Sequence, residues 1–196
     1  HAGPEDQLTD GCDIALDQVG YMENILTDML DFARPDALAL DWIDLDEVLE
    51  VATLSMMPAI AEQDIVVCTD GHFTLPKILG DRTRLIQVFQ NLLSNAIEAM
   101  SPGGRLTVEA ATCMHDSRPS VEVRIVDTGP GIPDDARAQV FEPFFTTRAK
   151  GTGLGLTIVS RLVQAHGGAI FLDPAPTGGT AARVIFPLVA GPEHDS

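Results

Sequence analysis

Lysine is almost missing from this chain. Only Lys77 and Lys150 are lysines among 12 basic residues, set against 29 acidic ones, for a formal net charge of −17. So acidic a surface repels nucleic acid and anionic lipid, which argues against both as partners. Cysteine is scarce too. Cys12, Cys68 and Cys113 are odd in number, widely spaced and form no Cys-x-x-Cys, so neither a disulfide framework nor a zinc site is indicated and a reducing, cytoplasmic setting is expected. No apolar run approaches the ~18 residues of a membrane span. No signal peptide is visible either, so direct membrane contact is not expected of this stretch. Aromatic residues make up 5% of the chain, yet 45% of its 196 residues are hydrophobic, enough for one large domain or a domain with an appendage. The first residue is His rather than Met, and the natural protein is expected to extend upstream.

From about Leu8 to Ala33 the apolar residues Ala15, Val19, Met22, Leu26, Met29 and Ala33 recur in alternating steps of four and three. That spacing is the seam of a coiled coil or helical bundle. Ile25, Leu30 and Phe32 widen the stripe, so the helix needs partners, and Pro35 ends it by pushing residue 34 out of helical geometry. Residues 1–34 therefore read as an appended bundle helix, residues 35–190 as a second unit and residues 191–196 as a frayed tail. The rival reading is a core helix of one globular domain.

The second unit reads as an α/β (α+β) two-layer sandwich with a mixed, mostly antiparallel sheet. Strands are predicted at Leu38–Leu45, Ile65–Thr69, Phe73–Leu79, Arg105–Thr112 and Val121–Val126. A hairpin follows at Ala169–Leu172 and Thr180–Pro187. Helices are predicted at Asp46–Glu62, Asp81–Met100, Asp134–Phe141 and Gly155–His166, with Asp44 or Asp46 capping the first and Gly167-Gly168 stopping the last. Helices alternate with antiparallel hairpins, so strict βαβ winding is not indicated.

Two glycine-rich turns stand out: Asp127-Thr-Gly-Pro-Gly-Ile-Pro133 and Gly151-Thr-Gly-Leu-Gly155. Glycine permits positive φ and close approach of a ligand to backbone N–H groups. A carboxylate ending the first strand-turn can accept a hydrogen bond from an amino group such as that of adenine. The helix start after the second turn can receive phosphate, and Lys150 sits directly before that turn as a phosphate contact. On the helix Asp81–Met100, Arg84, Gln87, Asn91, Asn95 and Glu98 share one face, and the amide oxygens of Asn91 and Asn95 are hard ligands suited to Mg²⁺ whose other sites are filled by water and phosphate. The second turn is not a Walker A loop, and neither the dinucleotide fingerprint nor the protein-kinase set is present. Phe141, Phe144 and Phe145 lie between the turns, as a core plug or as anchors of a moving lid.

Together these segments resemble the catalytic and ATP-binding domain of bacterial sensor histidine kinases, within a wider group that includes gyrase B, Hsp90 and MutL ATPases. Asn91-Leu-Leu-Ser-Asn95-Ala-Ile-Glu-Ala resembles the N box, Asp127-Thr-Gly-Pro-Gly131 the G1 box, Phe141-Glu-Pro-Phe-Phe-Thr-Thr147 the F box, Gly151-Thr-Gly-Leu-Gly-Leu156 the G2 box and Gly178-Gly-Thr180 the last glycine element. The versions present look most like the nitrogen-regulation and oxygen-sensing subgroup. The resemblance implies the Bergerat fold, ATP and Mg²⁺ as ligands, and a phosphorelay to a response-regulator receiver domain. It implies that Asn95 coordinates the metal with Asn91 in support, and that Asp127 binds the adenine amino group. Gly129, Gly131 and Ile132 would shape the base pocket, which Thr180 helps to close. Lys150, Gly151, Thr152, Gly153, Leu154 and Gly155 would border the triphosphate, with Asn91, Asn95 and Lys150 as the catalytic set. Hydrolases of the wider group carry a glutamate base where this chain has Asn91, which favours phosphoryl transfer over hydrolysis.

The helix ending Leu30-Asp-Phe-Ala-Arg-Pro35 resembles the second helix of the dimerisation and phosphoacceptor domain, implying a homodimer. None of His1, His72, His115, His166 or His194 stands in an acceptor context, and His166, at a helix end where a cation suits the dipole, reads as structural. The acceptor histidine is therefore expected on a separate helix. Two rival functions stay open: a serine kinase of the anti-sigma-factor type, and a scaffold in which ATP is only a conformational ligand.

Overall fold

The computed structural model describes residues 18–20, 22–23, 25–27, 29–30, 37–69, 75–100, 102–148, 151–176 and 178–189. The described residues between 18 and 30 are helical, and Val19, Met22, Leu26, Met29 and Leu30 are exposed there. The rest of the predicted seam, Ala15 and Ala33, lies outside the described residues.

The following elements are β1 (Asp41–Ile43), α1 (Leu45–Glu62), β2 (Ile65–Thr69), β3 (Ile78–Gly80), α2 (Arg82–Ala99), β4 (Gly104–His115), β5 (Arg118–Val126), α3 (Gly155–Ala165), β6 (Ala169–Pro174) and β7 (Thr180–Pro187). A five-stranded sheet runs β2-β4-β5-β7-β6, parallel only between β2 and β4, while β1 and β3 form a separate antiparallel pair. The predicted two-layer sandwich with a mostly antiparallel sheet is the observed architecture. Strand β5 shows its cause. Val121, Val123 and Ile125 are buried, whereas Glu122 and Arg124 point to the other face. A period of two gives the sheet one apolar side, and the helices cover it.

Helix α2 lies at the centre. Leu85, Val88, Phe89, Leu92, Leu93, Ala96 and Ile97 are buried at helical spacing, and Phe89 meets Phe186 of β7 edge to face with centroids 6.5 Å apart. Its polar face is left for the site. On the outer sheet face Arg124 and Arg183 are directly paired across β5 and β7. The like charges are compensated, since Arg124 bonds Glu109 at 2.9 Å and Arg183 bonds Glu122 at 3.1 Å and Asp173 at 3.0 Å.

Several predicted boundaries shift. The strand expected at Leu38–Leu45 shrinks to β1 because Asp44 accepts from the Asp46 N–H and caps α1. The strand expected at Phe73–Leu79 appears as β3, residues 70–74 being outside the described set. Residues 134–141 form successive turns instead of a helix: Ala136, Gln139 and Glu142 bond carbonyls three residues back, and only Ala136 is buried there. So little apolar surface cannot offset the cost of nucleating a helix.

His166 has the structural role expected of it, through hydrogen bonds rather than through a charge at the helix end. Its Nε2 accepts the Asp81 backbone N–H at 3.0 Å, so its Nδ1–H donates to the Leu162 carbonyl at 2.7 Å and the ring is neutral. Asp81 is the matching hub. Its Oδ1 accepts the Arg84 N–H at 3.1 Å and caps α2, and its Oδ2 accepts the Ala39 N–H at 3.0 Å. Burial alone would raise the Asp81 carboxyl, but these N–H groups and the Arg84 charge outweigh it and hold it below its ordinary 3.8. A depressed carboxyl contributes stability above its unfolded value that is lost as pH falls through its folded value. Asp81→Ala should therefore lower the unfolding free energy by about 1–2 kcal/mol near neutrality. The deficit should shrink in strong acid, as read from urea midpoints at several pH values.

Candidate nucleotide-binding site

Three elements converge on one cavity of about 620 Å³. The polar face of α2 supplies Asn91 and Asn95, the end of β5 supplies Asp127 with Gly131 and Ile132, and the turn before α3 supplies Gly151, Thr152, Gly153 and Gly155, with Thr180 opening β7. The volume lies within the range of small-ligand clefts.

Asp127 anchors one end. It is 4% exposed, yet its Oδ1 accepts two backbone N–H groups, from Gly129 at 2.8 Å and Thr180 at 3.2 Å. Its own N–H donates to the Thr180 carbonyl at 3.0 Å. Oδ2 accepts nothing among the described residues and remains able to take a hydrogen bond from a ligand's amino group. The backbone must pass very close to achieve this. Gly179, at φ +85°, leaves no space for a Cβ beside the Asp127 carbonyl. Burial pushes the Asp127 carboxyl above its ordinary 3.8, opposed by the Gly129 and Thr180 N–H groups and by the charge of Arg148.

The opposite end is built from amides. Asn91 Nδ2 donates to the Gln87 carbonyl at 3.0 Å, which leaves its Oδ1 as the outward atom. A Cβ at Gly155 would stand 3.1 Å from that oxygen and 3.9 Å from Asn95 Nδ2, so the first turn of α3 abuts both asparagines. No side chain among the described residues caps α3, so the N–H groups of its first turn are available to an anion. Leu154 is different from its neighbours. Its side chain is 1% exposed in the core and its N–H is taken by Thr152 Oγ1 at 3.3 Å, so it anchors the turn. Gly129 borders the cavity through Asp127 and does not line it. Lys150 lies outside the described residues.

Sequence reasoning passed over Arg148. Its guanidinium donates to Asn95 Oδ1 at 3.0 Å, to the Asn95 carbonyl at 2.6 Å and to Glu98 Oε2 at 2.8 Å. Among the described residues lining the cavity it is the one cation. The scarcity of basic residues was the available signal. The phenylalanine segment is tied down as well: the Phe144 N–H donates to the Gly153 carbonyl at 3.0 Å, and Thr157 Oγ1 donates to the Phe141 carbonyl at 3.1 Å. Phe144 is 60% exposed at φ +67°, while Phe145 lines the cavity, so neither reading of the three rings holds for all of them.

The described residues contain no group of three or more His, Cys, Asp or Glu side chains able to hold a metal by themselves. Two amide oxygens and the Glu98 carboxylate make a weak, hard-oxygen set. It fits Mg²⁺ only when phosphate oxygens complete the shell. The donors thus suit a metal–nucleotide complex rather than a bare ion.

Residues 80–190 match the family described as histidine kinase-, DNA gyrase B- and HSP90-like ATPases. The chain belongs to that family. It is 33% identical over 196 residues to the sensory histidine kinase/phosphatase NtrB of Rhodobacter capsulatus, covering 95% of this chain and 54% of NtrB. It spans 28–40% of the length of other curated sensor and sporulation kinases to which it is similar. Among solved structures it is similar to full-length ShkA in complex with AMPPNP (TM-score 0.74, 31% identity, covering 97% of this chain and 41% of ShkA). It is also similar to the histidine kinase ThkA in complex with the response regulator protein TrrA (TM-score 0.75, 26% identity, covering 96% of this chain and 53% of ThkA). No helix among the described residues is long and apolar enough to cross a membrane.

Asp127→Asn should keep the two backbone acceptor bonds but present an amide donor where the carboxylate offers an acceptor. Adenine-nucleotide affinity should fall at least tenfold, roughly the 1–3 kcal/mol of a mispaired buried group. Because the folded carboxyl is raised, its favourable contribution to stability is present in acid and lost as pH rises through the folded value. The variant should therefore be no less stable than the parent at pH 7. In the parent, calorimetric affinity should decline with acid over a range beginning above pH 3.8.

Proposed function

We propose that this chain is the ATP-binding kinase core of a two-component sensor histidine kinase. Mg-ATP occupies the cavity, with adenine on Asp127 and phosphates between α2 and the start of α3. The γ-phosphoryl passes to a histidine on an acceptor helix outside this chain and then to the aspartate of a receiver domain. The observation that carries the reading is the convergence of a buried carboxylate, two amides one helical turn apart and an uncapped helix start on one cavity of nucleotide size. Family membership and the AMPPNP bound by the related ShkA support it. The response regulator bound by the related ThkA supports the receiver as partner.

Asn91, Asn95 and Lys150 are the proposed catalytic set and Asn95 the metal ligand, with Gly129, Gly131, Ile132, Gly151, Thr152, Gly153, Leu154, Gly155 and Thr180 around the nucleotide. When bound, Mg²⁺ neutralises charge on the phosphates. The protein's own part is to orient the nucleotide and keep water away from it.

The histidines within the described residues are poor acceptors. Both ring nitrogens of His166 are engaged. His115 pairs with Arg118 at the far end of β5, roughly 30 Å from Asp127 at about 3.4 Å per strand residue. Residues 1–34 are proposed as a dimerising helix and residues 35–190 as the catalytic unit. The exposed Val19, Met22, Leu26 and Leu30 support a partner helix on that stripe.

Incubated alone with labelled ATP, the chain should gain no acid-labile label. Adding a dimerisation domain that carries an acceptor histidine should produce phosphohistidine. Label on His72, His115 or His166 would overturn the reading, and phosphoserine in a protein substrate would favour the serine-kinase alternative. Nucleotide binding without transfer to any acceptor domain would favour the scaffold.

A further inference from the structure

Arg148 is held in an unusual place. One guanidinium nitrogen, Nη1, donates both to Asn95 Oδ1 at 3.0 Å and to Glu98 Oε2 at 2.8 Å, so the two oxygens surround a single point, while Nη2 takes the Asn95 carbonyl at 2.6 Å. Glu98 is itself fixed, because its other oxygen accepts from Ser94 Oγ at 2.7 Å. Ser94, Glu98 and Asn95 thus form a prepared acceptor cup on α2, and a side chain of this chain fills it. Asn95 Oδ1 is also the atom that the proposed function assigns to the metal. A guanidinium and a dication cannot both occupy that oxygen.

We infer that Arg148 is a resident cation that keeps Asn95 and Glu98 closed to metal until a metal–nucleotide complex displaces it, with Glu98 then available as a second, carboxylate contact to the metal shell. The inference rests on the nucleotide reading of the cavity. Charge-assisted bonds from one planar fork to three acceptors are stronger than a solvated ion pair. Free Mg²⁺ finds only two or three protein oxygens in the cup, too few to repay dehydration and expulsion of the guanidinium. Phosphate oxygens supply the missing ligands when metal arrives on a nucleotide. The exchange replaces one positive charge with another, so the acidic cup is not left uncompensated at either stage. The device selects the loaded complex over the bare ion, a shift that a ligand can drive only through its different affinity for the two arrangements.

The test is a Mg²⁺ titration at fixed AMPPNP, followed by calorimetry, on the intact chain and on Arg148→Gln. The variant should reach half-saturation at a Mg²⁺ concentration at least threefold lower, while AMP, which lacks the outer phosphates, binds both proteins alike and reports an intact base pocket. An unchanged or higher half-saturating concentration in the variant would overturn the latch. A second measurement needs no variant. The Arg148 guanidinium protons should exchange slowly by NMR in the free protein and in AMPPNP with chelator, and rapidly once Mg²⁺ is added. Slow exchange that persists with Mg-AMPPNP would equally overturn it. If the parent takes up AMP but the two proteins share one Mg²⁺ dependence, the latch fails and the nucleotide reading stands. If the parent takes up neither nucleotide, both fail.

Discussion

The site depends on a buried carboxylate whose two oxygens have different employment. Asp127 Oδ1 accepts the Gly129 and Thr180 N–H groups, and Oδ2 accepts none among the described residues. The first two bonds allow the charge to exist in the interior at all. They also demand that β5 and β7 stay paired to their ends, Val126 opposite Ala181, and that residue 179 have no side chain. The apolar alternation of β5 and the core beneath it set the position of one polar atom. Ionising that atom costs folding free energy, which the sheet and helix core must offset.

At the other end the constraint is directional rather than electrostatic. Seven buried residues on one face of α2 fix its rotation about its own axis, so Asn91, Asn95 and Glu98 have no choice of direction. Helix α3 enters at Gly155, where the absence of a side chain lets its first turn lie against the two amides. The Asp81–His166 contact ties the start of α2 to the end of α3. The two helices therefore cannot slide along each other without losing a capped N-terminus and a histidine hydrogen bond together. The cavity's shape is in this way a property of the core.

Much of this was legible in the residues, and the exceptions have physical reasons. The stripe Leu85, Phe89, Leu92, Leu93, Ala96 and Met100 announced α2, because helical period is local, while Asp81, placed inside the predicted helix, proves to be its cap. Strands β2 and β7 appear at the bounds predicted for them, Ile65–Thr69 and Thr180–Pro187. The turns at 134–141 were misread as a helix because a short polar stretch after Pro133 carries start signals, yet only packing decides whether it propagates. The His166 acceptor bond could not be seen, since its partner Asp81 lies 85 residues away. Leu154 was read by its place in a glycine turn, and its burial is a tertiary fact. Arg148 escaped notice because the scarcer lysine two residues on drew the assignment.

The geometry also bears on which nucleophile the site can serve. A hydroxyl or a water needs a base to take its proton as it attacks. Asn91 is an amide with no proton-accepting power at neutral pH. Among the described residues the cavity's two carboxylates are committed elsewhere, Asp127 at the β5 end to the Gly129 and Thr180 N–H groups and Glu98 to Ser94 and to a cation, which is Arg148 in the free protein and the metal once Arg148 is displaced. An imidazole is different. With an unperturbed pKa of about 6.5 it is largely neutral near pH 7 and attacks through a lone pair it already has. A site that, under the proposed function, positions a phosphoryl group and offers no spare base among the described residues is thus better matched to a histidine acceptor than to serine or water. Under the proposed function, the lack of a base protects ATP from hydrolysis while leaving transfer to histidine open.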